Sequence, residues 1–445
     1  MYHNTIQPAE VDTVLKKHIL KDGFDLTLDL DKSQGCYMFD SKHQRRLLDF
    51  FTCFASLPLG YNHPKMTQDE EFKRNLLAAA LTNPSNSDIY TTQYAHFVET
   101  FSRVAIPPYL QHAFFVAGGA LAVENAMKVA MDWKIQKNFQ KGYRREVGHK
   151  VMHFQEAFHG RSGYTMSLTN TDPAKTNLFA KFNDWPRISN PKIVFPYSDE
   201  NHENLIKREL HAINQMKMAF QEFKDEISCI IIEPIQAEGG DNHFRIEFME
   251  TLRQLCDENE ALLIFDEVQT GVGLTGKFWA HQHFGENARP DLIAFGKKMQ
   301  VCGILAGPKV DEVETNCFRV PSRINSTWGG NLTDMVRAAK ILEIIEEDQL
   351  VNHVAQTGEF FLEALVDTAD KFPIVTNVRG RGFFCAFDLP SGEIRSEFIK
   401  RGLERNVMFL ACGSRTIRFR PSLIMTKTEI QEGMAVMHEI LKSLS

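Results

Sequence analysis

The middle of the sequence alternates short apolar runs with segments of helical periodicity, and this alternation constrains the fold more than any other feature. The apolar runs are rich in β-branched or aromatic residues, and they occupy His112–Val116, Lys150–Phe154, Ile227–Ile232 and residues 261–265 and 291–295. A strand that is apolar on both faces is typical of a parallel sheet covered by helices on both sides. The pattern therefore predicts an α/β fold with a mainly parallel sheet.

The pattern changes near residue 334, and this change divides the chain. Beyond it the sequence predicts one long helix over residues 334–370, strands over 378–388 and 416–424, and a final helix over 429–444 that follows a Thr428-x-x-Gln431 capping box. A chain of 445 residues is long enough for two or three domains. We therefore expect a large domain over residues 65–333 and a smaller α+β domain over 334–445, which residues 1–64 join.

The composition excludes several classes of protein. The 50 Lys and Arg residues and 57 Asp and Glu residues give a net charge of −7, which argues against a nucleic-acid partner or a polybasic membrane surface. No apolar stretch approaches the roughly 18 residues that span a bilayer, and the N-terminus has no signal-peptide pattern. The eight cysteines form no CxxC pair, so we expect reduced thiols, no metal site and a cytoplasmic location.

Glycines follow the first apolar run and lead directly into a helical pattern. Residues 117–120 read Ala-Gly-Gly-Ala, and apolar residues recur at helical spacing over residues 120–139. Because a helix N-terminus presents free N–H groups at the positive end of the helix dipole, this junction suits a phosphate group. A plain tight turn between strand and helix explains the same residues, so the motif alone does not decide.

Two charged residues end later apolar runs. Asp266 follows a buried strand, where a carboxylate is costly unless a cation such as a protonated ring nitrogen pairs with it; a helix cap or an internal salt bridge is the alternative. Lys297 follows the next strand, and burial gives such a lysine a nucleophilic amine, although most lysines are simply solvated. Phe158 offers a ring that stacks on a flat cofactor or, alternatively, packs in the core.

In combination, these motifs resemble the class III aminotransferases of the ornithine and GABA type, which use pyridoxal phosphate. The resemblance runs from residues 59–64 to residues 417–421, and three blocks are similar to the lysine 6-aminotransferase branch of the family: residues 118–126, 158–164 and 325–331. It implies the pyridoxal-phosphate-dependent transferase fold type I, like that of aspartate aminotransferase, with a mainly parallel seven-stranded sheet in the large domain.

The resemblance implies a set of residues that hold the cofactor. Lys297 becomes the Schiff-base lysine and the base that moves the substrate proton; it is preferred to Lys298 because it follows the small residue Gly296. Asp266 keeps the ring nitrogen protonated. The other contacts are the N–H groups of Gly119 and Ala120 to the phosphate, Phe158 and Val268 on the two ring faces, Gln269 at the phenolic oxygen, and Thr327 from the neighbouring subunit of a homodimer.

A second set of residues is assigned to the substrates, L-lysine and 2-oxoglutarate, by the same resemblance. Arg418 binds the α-carboxylate of 2-oxoglutarate or of the product L-glutamate, and Arg161 binds the carboxylate at the far end of either substrate. Glu238 pairs with Arg418 while lysine is bound and swings away for the dicarboxylate, and Asn325 contacts the α-group of lysine. The implied reaction is a ping-pong transfer of the ε-amino group, and its semialdehyde product cyclises to piperideine-6-carboxylate.

Three alternatives stay open at this stage. The nearest is the same chemistry with GABA or ornithine as amino donor. A semialdehyde mutase on the same scaffold needs no external keto acid, and a regulator that binds pyridoxal phosphate without catalysis has no need of Lys297, Asp266 and the arginine pair. Residues 118–120 also lack the hydroxyl that many family members have, as does the lysine branch, so phosphate binding depends more on backbone amides and on Thr327.

Overall fold

The computed structural model describes residues 6–444. This part of the chain contains fourteen strands: β1 (Tyr37–Asp40), β2 (Arg45–Asp49), β3 (His112–Val116), β4 (Lys150–Phe154), β5 (Arg187–Ile188), β6 (Ile227–Ile232), β7 (Leu262–Asp266), β8 (Leu292–Phe295), β9 (Cys302–Ala306), β10 (Thr376–Arg381), β11 (Phe384–Asp388), β12 (Val407–Met408), β13 (Leu410–Cys412) and β14 (Thr416–Phe419). The strand bounds expected for β3, β4 and β6 are confirmed, and those for β7 and β8 are confirmed to within one residue.

Fourteen α-helices lie in the same residues 6–444. They are α1 (Val11–Leu15), α2 (Thr52–Ala55), α3 (Pro64–Thr67), α4 (Glu70–Thr82), α5 (Thr92–Ala105), α6 (Gly119–Gln140), α7 (Gly163–Leu168), α8 (Pro173–Thr176), α9 (Asp199–Glu222), α10 (Ile246–Glu258), α11 (Leu332–Glu347), α12 (Leu350–Lys371), α13 (Gly392–Glu404) and α14 (Lys427–Leu444). Five short 3-10 segments complete the secondary structure: Pro8–Glu10, Ala280–Phe284, Glu286–Ala288, Lys297–Met299 and Pro308–Glu312. None of these helices is long and apolar enough to cross a membrane.

The largest sheet has seven strands in the order β3-β9-β8-β7-β6-β4-β5. Strand β9 pairs antiparallel with β3 and β8, whereas β8, β7, β6, β4 and β5 pair in parallel. The central strands β6, β7 and β8 are buried along their whole length, as their apolar composition requires. The expectation of an α/β fold with a mainly parallel seven-stranded sheet is confirmed, and six strands direct their carboxyl ends to one edge.

Two smaller sheets involve the end of the chain. Strands β10-β11-β14-β13 form an antiparallel sheet, and β1 and β2 form another sheet with β12. Because β12 pairs in parallel with β2, the N-terminal residues share a sheet with residues near 407. This pairing agrees with the expectation that the N-terminal segment joins a small C-terminal domain. The domain boundaries at 64/65 and 333/334 stay a prediction.

Four element assignments from the sequence are wrong in detail. The strand expected over residues 416–424 ends at Phe419. Residues 378–388 belong to the hairpin of β10 and β11, because the chain reverses at Gly382. Gly382 has φ +56°, and a Cβ at this position would lie 2.6 Å from the backbone carbonyl carbon of Thr275. Residues 334–370 form two helices, because Gln349 adopts φ +51° between them. The capping box of α14 is formed by Thr426 and Glu429, since the box expected two residues later falls inside the helix.

Candidate active site

The carboxyl ends of the parallel strands enclose a cavity of about 270 Å³. Asp266 ends β7, Glu233 follows β6 and Lys297 follows β8, so all three reach the same edge of the sheet. The cavity is lined by residues from six loops or strand ends: Gly119, Ala120, Phe158, His159, Gly160, Glu233, Glu238, Asp266, Val268, Gln269 and Lys297. The structure therefore brings seven predicted cofactor residues and Glu238 together around one space.

Helix α6 starts at this cavity, with Gly118 directly before the helix and Gly119 as its first residue. Gly118 has φ +115°, a conformation that side chains disfavour. A Cβ on Gly119 would lie 3.0 Å from Cγ1 of Val268, so Val268 would have to shift to admit a larger residue. The free N–H groups of the first helical turn therefore lie open at the cavity wall, where Gly119 and Ala120 were expected to meet a phosphate.

Asp266 is buried at the cavity, and a histidine orients it. Only 5% of Asp266 is exposed; its Oδ2 lies 2.8 Å from Nδ1 of His159, and its Oδ1 accepts a hydrogen bond from the Val268 amide at 3.1 Å. The other ring nitrogen of His159, Nε2, is buried without a hydrogen-bond partner in the described residues. A fixed carboxylate of this kind suits a cationic nitrogen within the cavity.

Glu233 is a second buried carboxyl group at the cavity. Burial raises its pKa to about 7, although the charge of His159 acts in the opposite direction. Its Oε1 accepts a hydrogen bond from the Phe158 amide and its Oε2 accepts one from the Ala237 amide, both at 3.0 Å. Glu233 thereby fixes the loop that carries Phe158 and His159.

The two neighbouring lysines point to different places. Lys297 lines the cavity, and burial together with the positive charge of Arg418 lowers its pKa. Lys298 is 2% exposed and donates a hydrogen bond to the carbonyl oxygen of Gln269 at 2.6 Å. The geometry therefore supports Lys297 as the reactive amine and gives Lys298 a structural partner.

Arg418 is buried beside the cavity and donates hydrogen bonds to two side chains, Glu238 and Gln269. It is 1% exposed; its Nη2 donates to Oε2 of Glu238 at 2.6 Å, and its Nη1 donates to Oε1 of Gln269 at 3.3 Å. Arg420 Nε donates to the same Gln269 oxygen at 2.9 Å. Because that oxygen already accepts two hydrogen bonds, the Gln269 amide group has its N–H donors left for a ligand in the cavity.

Glu238 also contacts a second cation that the sequence did not indicate. Its Oε1 lies 2.5 Å from Nζ of Lys175, on α8. Although burial opposes ionisation, Arg418 and Lys175 lower the pKa of Glu238, so the carboxylate is charged. Arg420, in contrast, is committed to the structure, because it makes a buried two-point ion pair with Asp241.

The remaining predicted residues lie outside the cavity of this chain. Arg161 is exposed directly after the cavity residue Gly160. Asn325 and Thr327 are also exposed, on a loop whose carbonyl groups accept hydrogen bonds from the side chains of Ser85 and Ser87. The roles of these three residues stay a prediction.

Sequence reasoning missed three residues of the site: His159, Glu233 and Lys175. His159 lies within the block of residues 158–164, and Glu233 directly follows the apolar run Ile227–Ile232, so its place at a strand end was the available signal. Lys175 lies in a polar loop 63 positions before Glu238, and nothing in the local sequence distinguishes it from a solvated lysine.

The residues at the cavity fit pyridoxal phosphate. The N-terminus of α6 suits a phosphate group, because the absence of a Cβ on Gly119 leaves room beside Val268. The buried carboxylate of Asp266 suits a protonated ring nitrogen. Lys297 supplies an amine that can react with an aldehyde. Phe158 and Val268 both line the cavity and present the apolar groups that a flat ring requires.

Comparison with known proteins agrees with this chemistry. The family model described as aminotransferase class-III matches residues 21–441. The chain is 51% identical over 435 residues to L-lysine-epsilon aminotransferase of Mycobacterium tuberculosis, covering 98% of this chain and 96% of that protein. It is 30% identical over 421 residues to the mitochondrial 4-aminobutyrate aminotransferase of Homo sapiens, covering 88% and 80%.

A solved structure matches over the whole chain. The lysine aminotransferase from M. tuberculosis in the internal aldimine form superimposes with a TM-score of 0.96 at 50% identity, covering 99% of this chain and 100% of that one. The family model and the full-length relatives agree with the fold and with the cavity described above. The chain belongs to the class III aminotransferases, which are pyridoxal-phosphate-dependent enzymes.

Proposed function

We propose that this enzyme transfers the ε-amino group of L-lysine to 2-oxoglutarate and releases L-glutamate. The observation that carries the proposal is the ion pair of Glu238 with Arg418 beside Lys297, because it hides the arginine from one substrate and can release it for another. Lysine has no second carboxylate to occupy Arg418, whereas 2-oxoglutarate does. Full-length similarity to proteins named L-lysine-epsilon aminotransferase supports the same donor.

Pyridoxal phosphate supplies an aldehyde that takes up amines and a ring that accepts the electron pair released from the substrate carbon. Asp266, oriented by His159, holds a proton at the ring nitrogen. Lys297 moves the proton at the reacting carbon, a role that suits its lowered pKa. In this proposal Asp266 controls the proton at the ring nitrogen, and Lys297 is the acid–base group at the reacting carbon.

In the first half-reaction, the ε-carbon of lysine lies near Lys297. Glu238 keeps Arg418 neutralised, and Arg161 binds the α-carboxylate at the far end of the substrate, with Asn325 near the α-group. The product is the 6-semialdehyde, which cyclises to piperideine-6-carboxylate. In the second half-reaction, Arg418 binds the α-carboxylate of 2-oxoglutarate and Arg161 binds its distal carboxylate.

The rival donors are ornithine and GABA, and a direct comparison separates them from lysine. Purified enzyme is given 2-oxoglutarate with each amine in turn, and glutamate is measured. We expect kcat/KM to be highest with L-lysine. A higher value with ornithine or GABA would change the donor and keep the class, whereas a pyridoxal-phosphate-loaded enzyme that forms no glutamate from any donor would favour the regulator.

We also propose a homodimer in which Thr327 of each subunit completes the other's phosphate site. Large apolar side chains are exposed on α4, in the segment that follows it and directly after Thr327: Leu77, Leu81, Ile89, Tyr90 and Trp328. Ser85, whose carbonyl accepts the Ile89 amide, also donates to the Thr327 carbonyl, so Ser85 links the segment that carries Ile89 to the loop of Thr327. An exposed apolar surface of this kind is typical of a protein interface.

A cytoplasmic location is proposed on the state of the thiols. All eight cysteines are unpaired. Free cysteines in this number are typical of a reducing compartment. Fractionation of cells that produce the protein, with detection in the cytosolic fraction, tests this location.

A further inference from the structure

Glu238 contacts two cations at once. Its Oε2 lies 2.6 Å from Nη2 of Arg418, and its Oε1 lies 2.5 Å from Nζ of Lys175. The two contacts use different oxygens. One contact can therefore break while the other is kept.

The second half-reaction requires such an arrangement. When the α-carboxylate of 2-oxoglutarate takes Arg418, Glu238 loses its partner on that side and lies near another negative charge. Only 24% of the Glu238 side chain is exposed, so water compensates the lost ion pair poorly. The carboxylate needs a cation in its new position.

Lys175 is placed to supply that cation. It belongs to α8, whose first turn is capped by Asp172, and its Nζ also lies 5.6 Å from the centre of the Phe158 ring. Glu238 lines both the cofactor cavity and a larger cleft of about 810 Å³, and Lys175 lines only the cleft. A movement of Glu238 away from Arg418 therefore has both space and a charge partner on the cleft side.

We propose that Lys175 is a positioning residue that holds Glu238 away from Arg418 whenever a dicarboxylate occupies the site. Because this contact is kept when the Arg418 pair breaks, Lys175 stabilises the Glu238 carboxylate in the position that a dicarboxylate requires, and so favours 2-oxoglutarate and glutamate relative to lysine. This inference rests on the proposed function, because it requires one site to accept both kinds of substrate.

The test compares Lys175→Met with wild-type enzyme in each half-reaction. We expect the KM for 2-oxoglutarate to rise about tenfold, as loss of a hydrogen bond between charged groups predicts, with kcat little changed. The KM for lysine stays within about twofold, because the Glu238–Arg418 pair is intact in that half-reaction. Lys175→Arg restores most of the affinity for 2-oxoglutarate.

A Glu238→Gln background separates positioning from packing. In that background no charge has to be relocated, so adding Lys175→Met leaves the KM for 2-oxoglutarate unchanged. If Lys175→Met raises the KM equally with and without Glu238, or raises the KM values for lysine and 2-oxoglutarate alike, the proposal is overturned. Lys192→Met is the matched control, since Lys192 lines the same cleft but pairs with Glu156.

Binding of glutarate gives a measurement that does not depend on turnover. Glutarate carries the two carboxylates of 2-oxoglutarate without its keto group, and its Kd is measured by calorimetry on the loaded enzyme. We expect a roughly tenfold weaker Kd in Lys175→Met and no change in Lys192→Met. Equal Kd values for wild type and Lys175→Met would overturn the inference even if lysine were not the donor, whereas failure of lysine alone would refute only the proposed function.

Discussion

Two adjacent lysines at the end of β8 have separate roles, and substitution distinguishes them. Lys297→Met removes the cavity amine that we propose transfers the proton, so we expect turnover with lysine and 2-oxoglutarate to fall at least about 10³-fold. Lys298→Met deprives the Gln269 carbonyl of its donor, and we expect a loss of about 1–3 kcal/mol in the free energy of unfolding with a far smaller loss of turnover. Steady-state rates and denaturant unfolding measure both, and the reverse pattern would assign the chemistry to Lys298.

Glu233 makes stability depend on pH in a predictable direction. Burial raises its pKa to about 7 from an ordinary value of 4.5, so between these values the unfolded chain is ionised while the folded chain keeps the proton. Stability from this group is therefore full below about pH 4.5, decreases as pH rises to about 7 and is constant above it; the change amounts to about 3 kcal/mol.

Comparison with Glu233→Gln isolates this effect. The variant does not titrate, so its free energy of unfolding minus that of wild type should increase by about 3 kcal/mol between pH 4.5 and 7.5. Chemical denaturation at a series of pH values gives this difference. A difference that does not change with pH would mean that the Glu233 pKa is ordinary.

At the scale of single residues, the sequence predicts those residues of the candidate site that lie at or just after the end of a strand. Asp266 and Lys297 directly follow or end buried strands, so their convergence is predictable from the parallel sheet. Lys175 is different, because its contact with Glu238 spans 63 positions and depends on how the loop around α8 packs. Tertiary contacts of this kind have no local sequence signal.

Among the elements, the cap of α14 gives a local test of the fold. Thr426 Oγ1 accepts a hydrogen bond from the Glu429 amide, and the Glu429 carboxylate accepts one from the Thr426 amide. We expect Thr426→Ala to cost about 1 kcal/mol of stability, since it removes the cap. Thr428→Ala is the control and should change the free energy of unfolding by less than about 0.5 kcal/mol. An equal loss in both variants would refute the assignment of the cap.

The buried central strands β6, β7 and β8 were predictable to within one residue, whereas backbone reversals were not. A largely apolar run such as Ile227–Ile232 buries both of its faces when helices cover the sheet on both sides, so its place in the sheet is predictable. In contrast, Thr52–Ala55 form a turn in which all four residues have positive φ, and Thr52 Oγ1 donates to the carbonyl of Arg420. L-residues avoid this conformation, so only the surrounding structure imposes it and the sequence carries no sign of it.

For the whole molecule, the proposed shared site predicts complementation between inactive subunits. Lys297→Ala and Thr327→Val each damage every site of their own homodimer. In a mixed dimer, one site has the intact Lys297 of the second subunit and the intact Thr327 of the first, so random mixing should restore about a quarter of wild-type activity. The assay is performed after the two variants are unfolded and refolded together, with each refolded alone as control. No recovery would place both residues in the same subunit's site.

The proposed reaction is defined by which nitrogen of lysine moves. The most direct measurement supplies 2-oxoglutarate with L-lysine labelled with ¹⁵N at the ε-position or at the α-position and follows the label by NMR. Transfer of the ε-amino group predicts ¹⁵N-labelled glutamate from ε-labelled lysine and unlabelled glutamate from α-labelled lysine. Label that reaches glutamate from the α-position, or no glutamate from either form, would contradict it.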